Sequence, residues 1–256
     1  MLLAIDIGNT NITLGVYQDE KLVAHWRVAT VQDRMPDEYG LLLTGLFGHR
    51  GLTVDQMDGV AIASVVPALT STFRELSQAY LRQRPLVVDA GVKTGVHVRV
   101  DNPREVGADR VVNCAAVHAR YDGPACVVDF GTATTFDAIS GEGDYLGGAI
   151  APGIGIAADA LFSRGSRLYR VDIAAPARAI GTSTATAMQS GIFFGYVGLV
   201  EGLVTRFRRE LGAGMKVIAT GGLAEAVAQE TPVIEFVDPW LTLDGLRIIW
   251  GMNRGL

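Results

Sequence analysis

Val127-Val128-Asp129-Phe130-Gly131-Thr132-Ala133-Thr134-Thr135 is the stretch whose reading decides the fold. An apolar run of strand type ends in a carboxylate, a glycine follows, and hydroxyl-bearing residues lead into Phe136, Ala138 and Ile139, a returning strand. Gly131 permits a tight bend and close approach of a ligand, and the hydroxyls and bend N–H groups suit a phosphate. Alone, such a segment reads equally well as an ordinary hairpin with a polar turn. The chain, however, contains it twice. Ala4-Ile5-Asp6-Ile7-Gly8-Asn9-Thr10-Asn11-Ile12-Thr13 has the same order, so that Asp6 answers to Asp129, Gly8 to Gly131, and Asn9-Thr10-Asn11 to Thr132-Ala133-Thr134. Two such bends facing each other would clamp a phosphate chain and offer two carboxylates to a cation.

Around the first bend, residues 2–7, 12–17 and 22–28 read as an antiparallel meander. A helix over 37–50, a buried strand at 59–64, a helix opened by Pro67 and a strand at 86–88 follow. Asn102-Pro103-Arg104-Glu105 has the cap, proline and acid of a helix start; Gly107 interrupts it, and a helix runs from Ala108 to about Arg120. The pattern then restarts with strands at 125–129, 134–139 and 145–151, helices at 153–163 and 184–211, a strand at 216–219, and helices from Leu223 and over 240–252. The glycines of Gly147-Gly148-Ala149-Ile150-Ala151-Pro152-Gly153 suit a backbone lying against a ligand or another chain. A meander followed by α and β elements, occurring twice, resembles the α/β duplicated actin-like ATPase (ribonuclease H-like) fold. That fold implies two βββαβαβα-type halves, residues 1–120 and 121–256, with a nucleotide cleft between them.

Composition narrows the classes. With 256 residues, 49% hydrophobic and 19% charged, the chain is long enough for a substantial core and is not of disordered type. Its net charge of -5, with no Lys/Arg run beyond two residues, argues against nucleic acid or an anionic membrane as partner. Apolar stretches are interrupted before the ~20 residues of a membrane span, and the N-terminus enters a strand with no basic leader. Cys114 and Cys126, without metal-ligand spacing, read as buried thiols, and the cytoplasm is the expected compartment. The four histidines are scattered and read as surface or strand-face residues.

Six segments together resemble the type III pantothenate kinases. They are Asp6-Ile7-Gly8-Asn9-Thr10; Asn102-Pro103 with Val106-Gly107-Ala108-Asp109-Arg110; Asp129 to Thr135; Gly147 to Gly153; Gly181-Thr182-Ser183-Thr184 with Gln189-Ser190-Gly191; and Thr220-Gly221-Gly222. The resemblance covers essentially the whole chain and implies ATP-dependent phosphorylation of pantothenate, the first step of coenzyme A synthesis. It implies that Asp6, Ile7, Gly8, Asn9, Thr10, Asn11, Ile12 and Thr13 form a first phosphate loop, and that Thr132 touches the nucleotide phosphates. Asp129 matches the position for a monovalent cation, potassium or ammonium, while magnesium accompanies the nucleotide. Gly107, Ala108, Asp109 and Arg110 match the pantothenate segment, with Asp109 the proton acceptor, and Thr184 matches a further substrate contact. Thr220-Gly221-Gly222 would lie beside the adenosine, and a homodimer is implied. One departure is Val100, where the family often has a tyrosine lining the substrate pocket.

These residue types suit the chemistry. Phosphoryl transfer to an alcohol needs in-line geometry and neutralised charge more than covalent help. Asp109 near a helix start is expected to be ionised, favoured by the dipole, and Arg110 suits a bidentate pair with a substrate carboxylate. A nucleotide-binding regulator without activity, or a sugar kinase or polyphosphate phosphatase of the same fold, stands as an alternative. The intact acidic and glycine positions, and the lack of a basic patch, favour the kinase.

Overall fold

Leu2–Ile7 is wholly apolar but for Asp6, and in the computed structural model it forms β1, the central strand of the first of two five-stranded sheets. The structure describes residues 1–165 and 168–254, which group into two units. One comprises Met1–Val96, Asp101–Ala119 and Leu241–Leu256; the other comprises His97–Val100 and Arg120–Trp240.

In the first unit, β1 pairs antiparallel with β2 (Asn11–Gln18), which pairs antiparallel with β3 (Lys21–Ala29). On its other side β1 pairs in parallel with β4 (Gly59–Ser64), and β4 with β5 (Leu86–Val87). Leu3, Ile5 and Ile7 alternate into a core with Leu14, Val16 and Ile62, closed by Tyr39, Leu43 and Phe47 of α1 (Pro36–Gly48) and Leu69, Phe73 and Leu76 of α2 (Pro67–Tyr80). Strand alternation therefore sends Leu2, Ala4 and Asp6 to the opposite face. Asn102 opens only a single 3-10 turn, Pro103–Glu105, its side chain accepting from Arg104 N at 3.4 Å, before α3 (Ala108–Arg120) begins.

The last helix, α7 (Leu241–Asn253), packs against β1, β2 and β4, so the observed units are not two consecutive stretches of chain. Two glycines let it lie close. A Cβ on Gly59 would overlap the Trp250 ring, and one on Gly245 would overlap the Val112 carbonyl of α3. Thr242 Oγ1 donates to Asn113 Oδ1 at 2.8 Å across the same contact.

The second unit repeats the arrangement. β6 (Ala125–Phe130) is central, antiparallel to β7 (Ala133–Ile139), which pairs with β8 (Tyr145–Pro152). Its parallel neighbour is β9 (Lys216–Gly221), followed by β10 (Phe236–Val237). Cys126, Val128 and Phe130 enter a core with Phe193, Val197, Val200 and Val204 of α5 (Thr184–Leu211) and Ile154 of α4 (Ile154–Arg164), while α6 (Ala224–Ala228) adds Ala224 and Val227. Both cysteines are free and buried. The glycine-rich stretch 147–153 is mostly regular strand, and its crowding partner at Gly148 is β7: a Cβ there would overlap the Phe136 carbonyl.

Among the described residues α5 is the helix long and apolar enough to cross a membrane by length and composition, against the expectation that every apolar stretch is broken too early. Its glycines interrupt the pattern without lowering the mean hydropathy enough. One face of α5 nevertheless builds the second core.

Candidate active site

The first bend leaves β1 after Ile7 and enters β2 at Asn11. Gly8 N donates to Asn11 O at 3.0 Å, closing the turn. Thr30, just beyond β3, holds it from outside: its N–H donates to Thr10 O at 2.9 Å and its hydroxyl to Gly8 O at 2.7 Å. Asn9, Thr10 and Asn11 are exposed, Asp6, Gly8 and Thr13 are half-buried, and Ile7 and Ile12 are core residues. Of the eight residues of the expected phosphate loop, Ile7 and Ile12 thus have only their backbone groups left for a ligand. No sequence signal marks Thr30 as the brace.

Val65 joins this bend to the segment around Asp109. Its N–H donates to Ile7 O at 3.1 Å, and its Cγ1 lies 3.5 Å from where a Cβ on Gly107 would stand. The first bend and Gly107-Ala108-Asp109-Arg110 therefore flank one residue. The spacing of Gly107 and Asp109 has a direct steric reason: the Asp109 carboxylate folds back over the start of α3, where Arg110 N donates to Oδ1 at 2.9 Å. A Cβ on Gly107 would overlap that same oxygen.

Asp109 departs from its sequence-based expectation. Burial pushes its carboxyl above the usual carboxylate range, outweighing the Arg110 N–H, the Arg110 charge and its own N–H, all of which draw it down. The side chain keeps some solvent contact, but enough protein surrounds it for desolvation to win. It is a stronger base than the helix start alone suggests.

The second bend is built on the same plan, one residue shorter. Asp6 pairs in register with Thr13, whereas Asp129 pairs with Thr135. The carboxylates and glycines of the two bends correspond as read, but the returning strands are offset by one, because β7 begins sooner after its glycine. Gly131 N donates to Ala133 O at 3.1 Å, and Gly131 and Thr132 stand exposed at the tip. The glycine that the fold requires here is Gly221 of β9. It has φ +90°, and a Cβ on it would come within 2.7 Å of Asp129 Oδ1 and 2.6 Å of Phe130 O. Thr220-Gly221-Gly222 thus lies against Asp129, with Gly222 N donating to Phe130 O at 3.2 Å.

Oxygen donors dominate that corner: the Asp129 carboxylate, the Phe130 carbonyl and Thr220, in register with Asp129. No group of three or more His, Cys, Asp or Glu suited to a metal occurs among the described residues. One carboxylate with neutral oxygens is a donor set that could hold a hard cation.

Thr184, first residue of α5 after its Ser183 cap, is exposed and lines a cavity of about 660 Å³ with Ala157, Leu161, Met188 and Tyr196. The walls are largely apolar and include neither bend, so this is no place for a triphosphate. Val100 lies over Gly147 of β8, its Cγ1 3.7 Å from a Cβ position there.

Comparison with known proteins identifies the family. The family model described as type III pantothenate kinase matches residues 2–206. A type III pantothenate kinase of Roseiflexus sp. (strain RS-1) is 56% identical over 254 residues, covering 99% of this chain and 100% of that protein. The one of Moorella thermoacetica is 55% identical over 253 residues, with coverage of 99% and 100%. Among solved structures, a Campylobacter jejuni protein described as a Baf family transcriptional activator superposes with a TM-score of 0.63 at 21% identity, covering 99% of this chain and 100% of that one. The inorganic polyphosphate/ATP-glucomannokinase of Arthrobacter sp. strain KM gives 0.51 at 16%, covering 98% and 99%. At such identities these two speak for the fold alone, the duplicated actin-like one. The match of the family model along most of the chain, with relatives at 55% and 56% identity over 99% of it, means that this chain belongs to the type III pantothenate kinase family.

Proposed function

We propose that Asp109 is the residue that accepts the hydroxyl proton of pantothenate as the γ-phosphoryl group of ATP is transferred to that oxygen, giving ADP and 4'-phosphopantothenate. The overall reaction, phosphorylation of pantothenate on the way to coenzyme A, is that of the family. The observation that carries the assignment is the steric match of Gly107 to the Asp109 carboxylate, next to Val65 and the end of β1. Its raised pKa suits a base, since proton transfer is most effective when the pKa approaches the working pH. Arg110 pairs with the pantothenate carboxylate, Ala108 and Gly107 present backbone to the substrate, and Thr184 makes a further contact with it. The residues from Asp6 to Thr13 cradle nucleotide phosphates with backbone N–H groups and the side chains of Asn9, Thr10 and Asn11, and Thr132 serves the same end from the second bend.

Asp129, with the Phe130 carbonyl and Thr220, holds potassium or ammonium, which supplies positive charge where the phosphoryl oxygens are negative. Magnesium arrives with the nucleotide. The enzyme acts as a homodimer. In support, the second unit exposes Ile150 (70%) and Ile180 (84%) together with Ile156, Leu161 and Tyr169, large apolar side chains of the kind a subunit contact would cover.

Asp109→Asn is expected to lower turnover ~10²–10⁴-fold with nucleotide binding nearly intact. The proton acceptor works only when ionised, so wild-type turnover rises with pH through the raised Asp109 pKa and then levels, and this acid limb disappears in the variant. A limb that persists unchanged in Asp109→Asn removes Asp109 from the role. Gly107→Ala, which pushes the carboxylate aside, is expected to cost about 10²-fold in turnover with little change in melting temperature; wild-type turnover would show that the carboxylate position is unimportant.

For the cation, ADP release with pantothenate is expected to require potassium or ammonium, and Asp129→Ala to abolish that requirement together with most activity; equal rates in sodium-only buffer would sink the assignment. Sedimentation is expected to give a dimer, converted toward monomer by Ile150→Glu with Ile156→Glu. A wild-type monomer at assay concentration would refute the homodimer.

A further inference from the structure

Tyr196 stands on α5 and sends its phenol to the base of the second bend. Its hydroxyl is hydrogen-bonded to the Pro152 carbonyl at the end of β8 and to Thr134 Oγ1 on β7 at 3.1 Å. The phenol has one proton and a carbonyl can only accept, so Pro152 takes it and Thr134 supplies the proton of the second bond. Thr134 is itself 1% exposed. Ala133 and Pro152 are the last pair in register between β7 and β8, and the bend starts there. Tyr196 therefore ties the two strands together at the point where their ladder ends.

A second contact meets the bend beside it. Gly153 N donates to Thr132 O at 3.1 Å, and a Cβ on Gly153 would overlap Thr132 O. The backbone of the bend thus rests directly on the junction of β8 and α4, and Tyr196 holds that junction to Thr134. Burial pushes the Tyr196 phenol up, so it stays protonated at neutral pH.

A bulky anchor for α5 needs a ring and no hydroxyl; Phe193, one turn earlier on the same helix, does that in the same core. What the hydroxyl adds is a bond to Thr134, where the bend runs into β7, and one to Pro152 at the end of the neighbouring strand β8. We propose that Tyr196 is a positioning residue for nucleotide binding, fixing the Gly131–Thr134 bend through Thr134 and Pro152. This rests on the reading that the bend meets the nucleotide phosphates.

The test is steady-state kinetics on the full-length enzyme with Tyr196→Phe, Thr134→Val, the double variant, Thr134→Ser and Thr132→Ala. Tyr196→Phe is expected to raise the KM for ATP about tenfold, the worth of one good buried hydrogen bond, with the KM for pantothenate within twofold of wild type. Thr134→Val should reproduce the effect, the double variant should lose no more than either single, and Thr134→Ser should behave as wild type. An unchanged KM for ATP in Tyr196→Phe, losses that multiply in the double variant, or a lowered melting temperature with unaltered kinetics would each overturn the proposal. Should Tyr196→Phe fail to fold, Thr134→Val against Thr134→Ser decides. Thr132→Ala separates the two readings. If it raises the KM for ATP while Tyr196→Phe is silent, only the role of Tyr196 falls; if Thr132→Ala and Tyr196→Phe are both silent, the bend does not bind nucleotide.

Discussion

Alternation along two buried strands is the constraint on which the rest depends. In β1 the odd residues Leu3, Ile5 and Ile7 are core, and in β6 the even residues Cys126, Val128 and Phe130 are core. The residue one short of each strand's end must then emerge on the other face, and in both strands it is aspartate. A slip of one residue in either strand would carry the carboxylate into the cluster that Ile5 and Ile7, or Val128 and Phe130, now fill, where an ionised group is costly. The buried Ile7 and Phe130 that follow the two aspartates thus fix where the charges appear. Burial of apolar surface, the least specific force in the molecule, sets the position of its most specific groups.

Carboxylates so placed need room, and in two places the room is a missing Cβ. Gly107 leaves space for the Asp109 carboxylate folded over its own helix start, and Gly221 leaves space for Asp129 from the neighbouring strand β9. The first arrangement is local, since glycine and aspartate are two residues apart and travel together. The second joins residues far apart in the chain, and Gly221 also adopts a positive φ that other residues tolerate poorly. Any side chain at either position would move a carboxylate, so the geometry of both acids is set as much by what their neighbours lack as by what they offer.

This difference between local and remote contacts also explains what could be read from the sequence. The strands and long helices follow from periodicity and caps: α3 from Ala108 and α5 from Thr184 behind Ser183 stand where the pattern puts them. β10 is not legible in the sequence because two residues show no period. The packing of α7 on the first sheet depends on Gly59 and Gly245, which look unremarkable in the sequence. At the site, the acidic bends and the Gly-Ala-Asp-Arg segment are legible because each is contiguous. The braces Thr30, Val65 and Tyr196 are not, since each acts on residues distant in the chain. The raised pKa of Asp109 is hidden for the same reason: the helix start and Arg110 are visible in sequence, while the burial that outweighs them is tertiary.

The braces bear on how such a duplicated site can change. Positioning of reactants can supply ~7–11 kcal/mol, whereas general-base help is worth about 3–5 kcal/mol, so on the proposed mechanism holding the bends still would matter at least as much as the base. Yet the two bends are held by unrelated means. Thr30, following β3, bonds the Gly8 and Thr10 carbonyls of the first; Tyr196, from a helix, bonds Thr134 and Pro152 beside the second. In both cases the restraint is a hydroxyl-bearing residue from outside the bend: Thr30 joins two points across the first, whereas Tyr196 ties the second to the end of β8. A bend is useful only where its N–H groups point, and that depends on how far it can shift, whichever element restrains it. The repeat therefore keeps the aspartate and glycine, whose chemistry and space have no substitute, while the restraint differs between the halves because many contacts can provide it.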